Sequence, residues 1–280
     1  MSEQKAVPAA GSEQASHNLL MRTAAALVLA PLAIGAAYAG GWFWTALVIL
    51  AAIGLYVEWL MVVSAPREIG VVAIGAVALA VAGSCLALRQ IDASLAAALF
   101  GLMAAGLLSR RFWTAAGFLY AAMALTASLL VRFDEAQGFT ALVLVLLVVW
   151  ATDIGGYFAG RRLGGAKLWP RVSPNKTWAG ALGGMVASLF VAGGFAALDL
   201  GKTLPMLVLG ACLSIASQLG DLFESAVKRR FGVKDSSHII PGHGGLLDRL
   251  DGYVAAIVLA AIFGLLRGGV DGVGRALMVW

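Results

Sequence analysis

Three carboxylates lie inside apolar runs. Glu58 is in LYVEWLM, Asp153 in WATDIGGYFAG and Asp221 in SQLGDLFESAVKRR. If these runs cross a bilayer, each acid carries an insertion penalty of about 2.5–3.5 kcal/mol, so a task is expected of it. Each precedes a basic residue by a similar interval: Glu58 by nine residues before Arg67, Asp153 by eight before Arg161, Asp221 by seven before Lys228. At the rise of an α-helix this sets all three roughly 10–14 Å below one boundary. Equal depth predicts carboxylates ringing a single cavity, with Glu58 the weakest member. The alternative is three separate acids, each satisfied by a neighbouring helix.

The Asp221 segment carries more. Ser217, Asp221, Glu224, Ser225 and Lys228 recur at intervals of three and four, so they share one helical face. Such a stripe is predicted to turn away from lipid. Glu224 and Lys228 can pair at i,i+4. Asp221 has no such local partner, and a cation would satisfy it.

Two loops extend this chemistry. GRRLGGAKLWPRVSPNKTWAG holds five basic residues and no acid. Its charge alone fits a topology signal and attraction to anionic headgroups. Ser173-Pro174-Asn175-Lys176-Thr177 within it reads as a turn leading into a helix, where hydroxyls and a lysine can grip phosphate. The second loop is KRRFGVKDSSHIIPGHGGLLDRLDG. Pro241-Gly242-His243-Gly244-Gly245 cannot be ordinary helix, and its glycines would let backbone N–H groups approach a ligand. Asp248 and Asp251 follow at i,i+3 as a new helix begins. Carboxylates beside a glycine-rich turn and basic residues suit a divalent ion holding a polyphosphate, and magnesium prefers such oxygen ligands. No His or Cys cluster has zinc spacing.

These residues need elements to hold them, and composition says which. Of 280 residues, 61% are apolar and 12% charged, and the net charge is +5. Mean hydropathy is +0.89. The charged share is about half that of soluble domains, which excludes a soluble enzyme and a disordered chain. Cys85 and Cys212 lie far apart in apolar stretches, so they are expected to be buried packing residues. The predicted fold is an all-α, polytopic integral membrane helix bundle with about nine transmembrane helices, each of about 20 residues. The spans are about 20–39, 41–62, 69–88, 92–108, 112–131, 138–160, 178–198, 204–227 and 248–266. Residues 1–18 read as a disordered cytosolic tail, and 19–280 as one transmembrane catalytic domain. Ala37-Tyr38-Ala39 imitates a signal-peptide cleavage site, but more than twenty residues precede the run and membrane segments follow it, so it reads as a retained span. Fifteen of the 20 Lys and Arg residues fall at the N-terminus and on the loops after spans two, four, six and eight. The positive-inside rule then places the N-terminus and the polar loops in the cytosol and the C-terminus outside. The 35 glycines are read mainly as sites of close helix packing.

The run SAVKRRFGVKDSSHIIPGHGGLLDRLD, from Ser225 to Asp251, closely resembles the signature of the phosphatidate cytidylyltransferases (CDP-diacylglycerol synthases). Glu58-Trp59, Asp153 before Ile154-Gly155-Gly156-Tyr157, and Ser173-Pro174-x-Lys176-Thr177 match upstream patterns of that family. The resemblance covers most of the chain from about residue 20. It implies conversion of CTP and phosphatidic acid to CDP-diacylglycerol and pyrophosphate in phospholipid biosynthesis, at a site that faces the cytosol from a membrane, most simply a bacterial inner membrane. The residues by themselves imply a cytosol-facing polar site, a divalent cation and a polyphosphate. The lipid and the cytidine come from the resemblance.

Chemistry and resemblance together assign Asp221 and Asp248 as Mg2+ ligands, with Asp153 and Asp251 as further ligands or their supports. One or two cations, and a monovalent ion such as K+, remain open. Lys176, Lys228, Arg229 and Arg249 are candidates for triphosphate or lipid-phosphate contacts. Ser173, Ser225, His243, Gly244 and Gly245 would shape the pocket. The partners expected are CTP, phosphatidic acid and the bilayer, with no nucleic acid; the oligomeric state is open, a homodimer included. Two other classes stay in view. An ion-coupled transporter would use buried acids differently, but no internal repeat is visible. A CDP-alcohol phosphotransferase carries D-x-x-D-G-x-x-A-R, which Asp248-x-x-Asp251-Gly252 matches only at its start.

Overall fold

The computed structural model describes residues 31–63, 69–237 and 244–280. Residues 31–39 are helical. They are followed by α1 (Gly41–Val62), α2 (Ile69–Ala87), α3 (Ile91–Ser109), α4 (Phe112–Arg132) and α5 (Gly138–Leu163). A short hairpin, β1 (Lys167–Trp169) and β2 (Ser173–Thr177), precedes α6 (Trp178–Ala197), α7 (Thr203–Arg230), α8 (Leu247–Gly268) and the terminal α9 (Val273–Met278). Among the described residues, the eight helices α1 to α8 are long and apolar enough to cross a membrane. Their positions match eight of the nine expected spans. Most of the first expected span, and the 1–18 tail, lie outside the described residues.

The connections alternate between two ends of the bundle, as the loop charges require. At one end Arg89 donates to the Phe133 carbonyl at 2.8 Å and meets Asp271 at 3.5 Å. There too Asp134 accepts from the Arg275 amide at 2.9 Å. At the other end the Trp59 indole donates to the Trp113 carbonyl at 2.8 Å, and the rings of Trp113 and Phe231 meet edge to face. The polar loops belong to this second end.

α4 and α5 form the interior, with Phe118, Leu125, Leu129, Leu142, Leu144 and Val145 essentially sealed from solvent. α3 is the opposite case, with only Ser94, Gly101 and Ala105 buried. An apolar helix exposed on most sides is stable only in lipid. Two close contacts set the site's frame. α5 and α6 meet along small residues, where a Cβ on Gly184 would stand 2.6 Å from the Thr152 carbonyl oxygen. α7 and α8 meet at Gly220 and Gly252, where a Cβ on either would collide with the partner helix. The glycine content thus does what was expected, bringing backbones together without side chains between them.

Two expectations need correction. Ser173–Thr177 is a strand of an antiparallel ribbon, with Lys167 opposite Thr177 and Trp169 opposite Ser173, where a turn was expected. The helix start that follows is as read, with Thr177 Oγ1 accepting from the Gly180 amide at 3.1 Å to cap α6. Cys85 is half-buried and Cys212 is exposed. Cys212 lies on the outer face of α7 because Gly210, Leu213, Ser214 and Ser217 take the inner one.

Candidate active site

The polar stripe of α7 turns inward. Ser217 and Glu224 are buried, and Lys228 is largely so. Asp221 is its most open acid and faces a cavity of about 1290 Å3 that starts at the end carrying the polar loops. Asp153 from α5, Lys176 from β2, Lys228 from α7 and Asp248, Arg249 and Asp251 from α8 line the same cavity. Four elements distant in sequence therefore deliver to one space most of the charged residues that sequence reasoning selected.

The carboxylates fall into two groups. Asp221, Asp153 and Asp251 are open to the cavity and within electrostatic reach of one another. Lys176 Nζ forms an ion pair with Asp221 Oδ2, and the Ser225 hydroxyl lies 3.4 Å from Oδ1. Asp251 accepts from the Gly252 amide at 2.7 Å. Lys176 and Arg249 both lie within electrostatic reach of Asp153.

Asp248 and Glu58 are bound up in the protein. Lys228 Nζ lies 2.6 Å from Asp248 Oδ1. Asp248 Oδ2 accepts from the Ser236 amide at 3.1 Å, the Ser236 hydroxyl at 2.9 Å and the Gly245 amide at 3.0 Å. That nearly exhausts the four lone-pair positions of a carboxylate. Lys228 also stands 2.7 Å from Glu224 Oε2, the expected i,i+4 ion pair. Glu58 is wholly buried. Its Oε1 accepts from the Ser237 hydroxyl and the Leu246 amide, both at 2.8 Å; its Oε2 accepts from the Ser236 hydroxyl at 3.0 Å and the Leu247 amide at 2.7 Å. The Ser236 hydroxyl has one proton and sits between two carboxylates, so it is a shared donor.

This corrects the reading of Glu58 as a third wall of the cavity. It fastens α1 to the loop after α7 and to the first turn of α8, where an anion also meets the positive end of the helix dipole. Gly245 makes the arrangement possible, since a Cβ there would overlap the Ser236 hydroxyl and the Glu58 carboxylate. Its amide, expected to face a ligand, donates to Asp248. Gly244 has φ +79°, a backbone state suited to glycine. His243 lies outside the described residues.

Other selected residues stand away from the cavity wall. Arg229 donates to the Val233 carbonyl at 3.2 Å, closing the end of α7. Ser173 is half-buried in the ribbon and Ser225 packs behind Asp221. Conversely, Ser236 was passed over, although Lys234-Asp235-Ser236-Ser237 supplies the hydroxyls that join Glu58 to Asp248. Arg161, one of the loop charges that fit a topology signal, lines the cavity beside Tyr157, whose hydroxyl it meets at 2.6 Å.

The donor set fits a hard divalent cation by its chemistry. It consists of carboxylate oxygens, with neither imidazole nor thiolate lining the cavity among the described residues. As the side chains stand, no three acidic, His or Cys groups among the described residues are gathered tightly enough to hold an ion. Lysines neutralise Asp221 and Asp248.

A polytopic membrane protein with acids and lysines converging on one intramembrane cavity defines a class of site built for anionic groups and cations. The chain belongs to the cytidylyltransferase family, whose pattern matches residues 20–266. It is 41% identical over 261 residues to the phosphatidate cytidylyltransferase of Brucella suis biovar 1 (strain 1330), covering 88% of this chain and 93% of the relative. The phosphatidate cytidylyltransferase of Bacillus subtilis (strain 168) is 46% identical over 129 residues, 44% of this chain and 47% of the relative.

Proposed function

We propose that this protein is a membrane nucleotidyltransferase that makes CDP-diacylglycerol and pyrophosphate from CTP and phosphatidate. The similarity to phosphatidate cytidylyltransferases over most of the chain supports the reaction. The observation that carries the chemistry is the junction of Asp153, Asp221, Asp251, Lys176 and Lys228 at one cavity that continues into an apolar interior. An anionic head and an apolar tail need those two surroundings in that order.

A phosphate oxygen of phosphatidate attacks the α-phosphorus of CTP. The new P–O bond forms as the bond to the β-phosphate oxygen breaks, and pyrophosphate departs with that electron pair. A phosphomonoester is largely ionised near neutrality, so no strong general base is needed. The obstacle is the mutual repulsion of two polyanions, and catalysis rests on positioning and charge. Lys176, Lys228 and Arg249 would contact phosphate oxygens from the cavity wall. Arg161, at the cavity's cytosolic margin, would attract the incoming nucleotide.

Asp221 and Asp248 are the proposed Mg2+ ligands, with Asp153 and Asp251 beside them; Asp248 would join by exchanging Lys228. A bound divalent cation would neutralise phosphate charge and stabilise the leaving group. We place the N-terminus and the cavity mouth on the cytosolic side, in a bacterial inner membrane. Purified protein with CTP, phosphatidate and magnesium should release pyrophosphate and gain a CDP-lipid of matching mass. Turnover that persists without lipid would overturn the reading.

A further inference from the structure

The cavity runs well past the charged groups. It follows α1 along Leu55, Ala52, Ala51, Val48, Leu47 and Trp44. These positions recur at intervals of three and four, so they form one face of the helix. From Leu55 to Trp44 the face descends about 16 Å. Ala124 and Leu125 of α4 and Leu146 and Val149 of α5 supply facing walls.

The far end is built differently. The Trp44 indole donates to the Ser128 carbonyl at 3.2 Å. The Ser128 hydroxyl lies 2.9 Å from the Tyr253 hydroxyl. α1, α4 and α8 are thus tied together at one level, and both Trp44 and Ser128 are buried. Ala51, Ala52 and Ala124 leave room midway along the furrow, Leu32 and Ala33 also line it, and the bulky Trp44 ring, held by its hydrogen bond, stands at the far end.

A furrow of this kind rejects a second polar substrate, whose groups would find too few partners. Its length is close to half the roughly 30 Å hydrocarbon thickness, the span of one leaflet's acyl chain. It is continuous with the groups proposed to hold the phosphate. We infer that the furrow receives one acyl chain of the phosphatidate and that the Trp44–Ser128–Tyr253 end sets the longest chain accepted. This rests on the function proposed above. Because the bilayer already solvates the chain as well as leucine would, apolar burial discriminates little between lengths. Selection arises from overlap at the Trp44 end.

Two measurements test this. Ala52→Phe narrows the furrow midway, and overpacking of this kind should lower kcat/KM for dioleoyl relative to dihexanoyl phosphatidate by about tenfold. Trp44→Leu should shift the length profile toward longer chains. An unchanged profile in both folded variants overturns the inference. The second measurement needs neither turnover nor a variant. Phosphatidate with a diazirine at the end of one acyl chain, bound to wild-type protein, should crosslink to peptides around Trp44 and Ser128. Crosslinks confined to outward positions such as Phe100 and Met103 overturn it. If wild-type protein yields no CDP-lipid while the probe still marks Trp44, the proposed reaction fails and the furrow stands.

Discussion

The two sides of the cavity head use the same residue type in opposite ways. Around Asp248 and Glu58, every carboxylate oxygen meets protein donors: Lys228, Ser236, Ser237, Gly245, Leu246 and Leu247. Around Asp221, Asp153 and Asp251 the donors are few, and one of them is the partly exposed ammonium of Lys176. The first side is scaffold, since its hydrogen bonds fix where α8 begins. The second leaves carboxylates open to the cavity with few protein donors and little structural duty. The difference teaches that a buried acid's sequence context is a weaker guide to its role than the number of donors it meets.

Asp221→Asn tests the open side and should have the largest effect on turnover, a loss of about 10³-fold, as for removal of a group that acts electrostatically in the reaction. Its thermal unfolding in detergent should barely move. Asp248→Asn should lose turnover comparably and also stability, by about 1.5–3 kcal/mol for hydrogen bonds to a charged group. Equal unfolding temperatures for the two variants would dissolve the contrast.

Glu58→Gln comes next. The amide presents N–H groups to donors that now meet a carboxylate, so stability should fall by about 1–3 kcal/mol. Turnover should fall less than for Asp221→Asn. A variant as stable as the wild type would remove Glu58 from the scaffold. Lys176→Met should raise KM for one substrate by about tenfold, the weight of one charge-assisted contact; steady-state kinetics in CTP and in phosphatidate will say which. Arg229→Ala should be the mildest, with kcat/KM within about threefold of wild type, because its partner is a surface carbonyl.

Much of this was legible in the chain. The α7 stripe was readable because a helix has a fixed period and a polar face is unfavourable against lipid. That Asp153 and Asp221 share a cavity followed from equal depth. Glu58 obeyed the same depth rule and went elsewhere, because depth does not give the direction of a side chain around its helix. Arg229 follows Lys228 by one residue, about 100° around the helix, so adjacent basic residues have different addresses. Ser236 was unreadable because its importance lies in hydrogen bonds to Glu58, 178 positions away. The ribbon at Ser173–Thr177 lacks the alternating apolar pattern that marks a strand.

The most direct test follows pyrophosphate and lipid-product mass for wild-type protein and Asp221→Asn in mixed micelles containing CTP, phosphatidate and magnesium, with EDTA and lipid-free controls. The account predicts a CDP-lipid from wild-type protein that requires all three components, and almost none from a folded Asp221→Asn. Near-normal product from that variant would contradict the claim that the open carboxylates carry the reaction. No product from wild-type protein, under conditions that support a known phosphatidate cytidylyltransferase, would contradict the reaction itself.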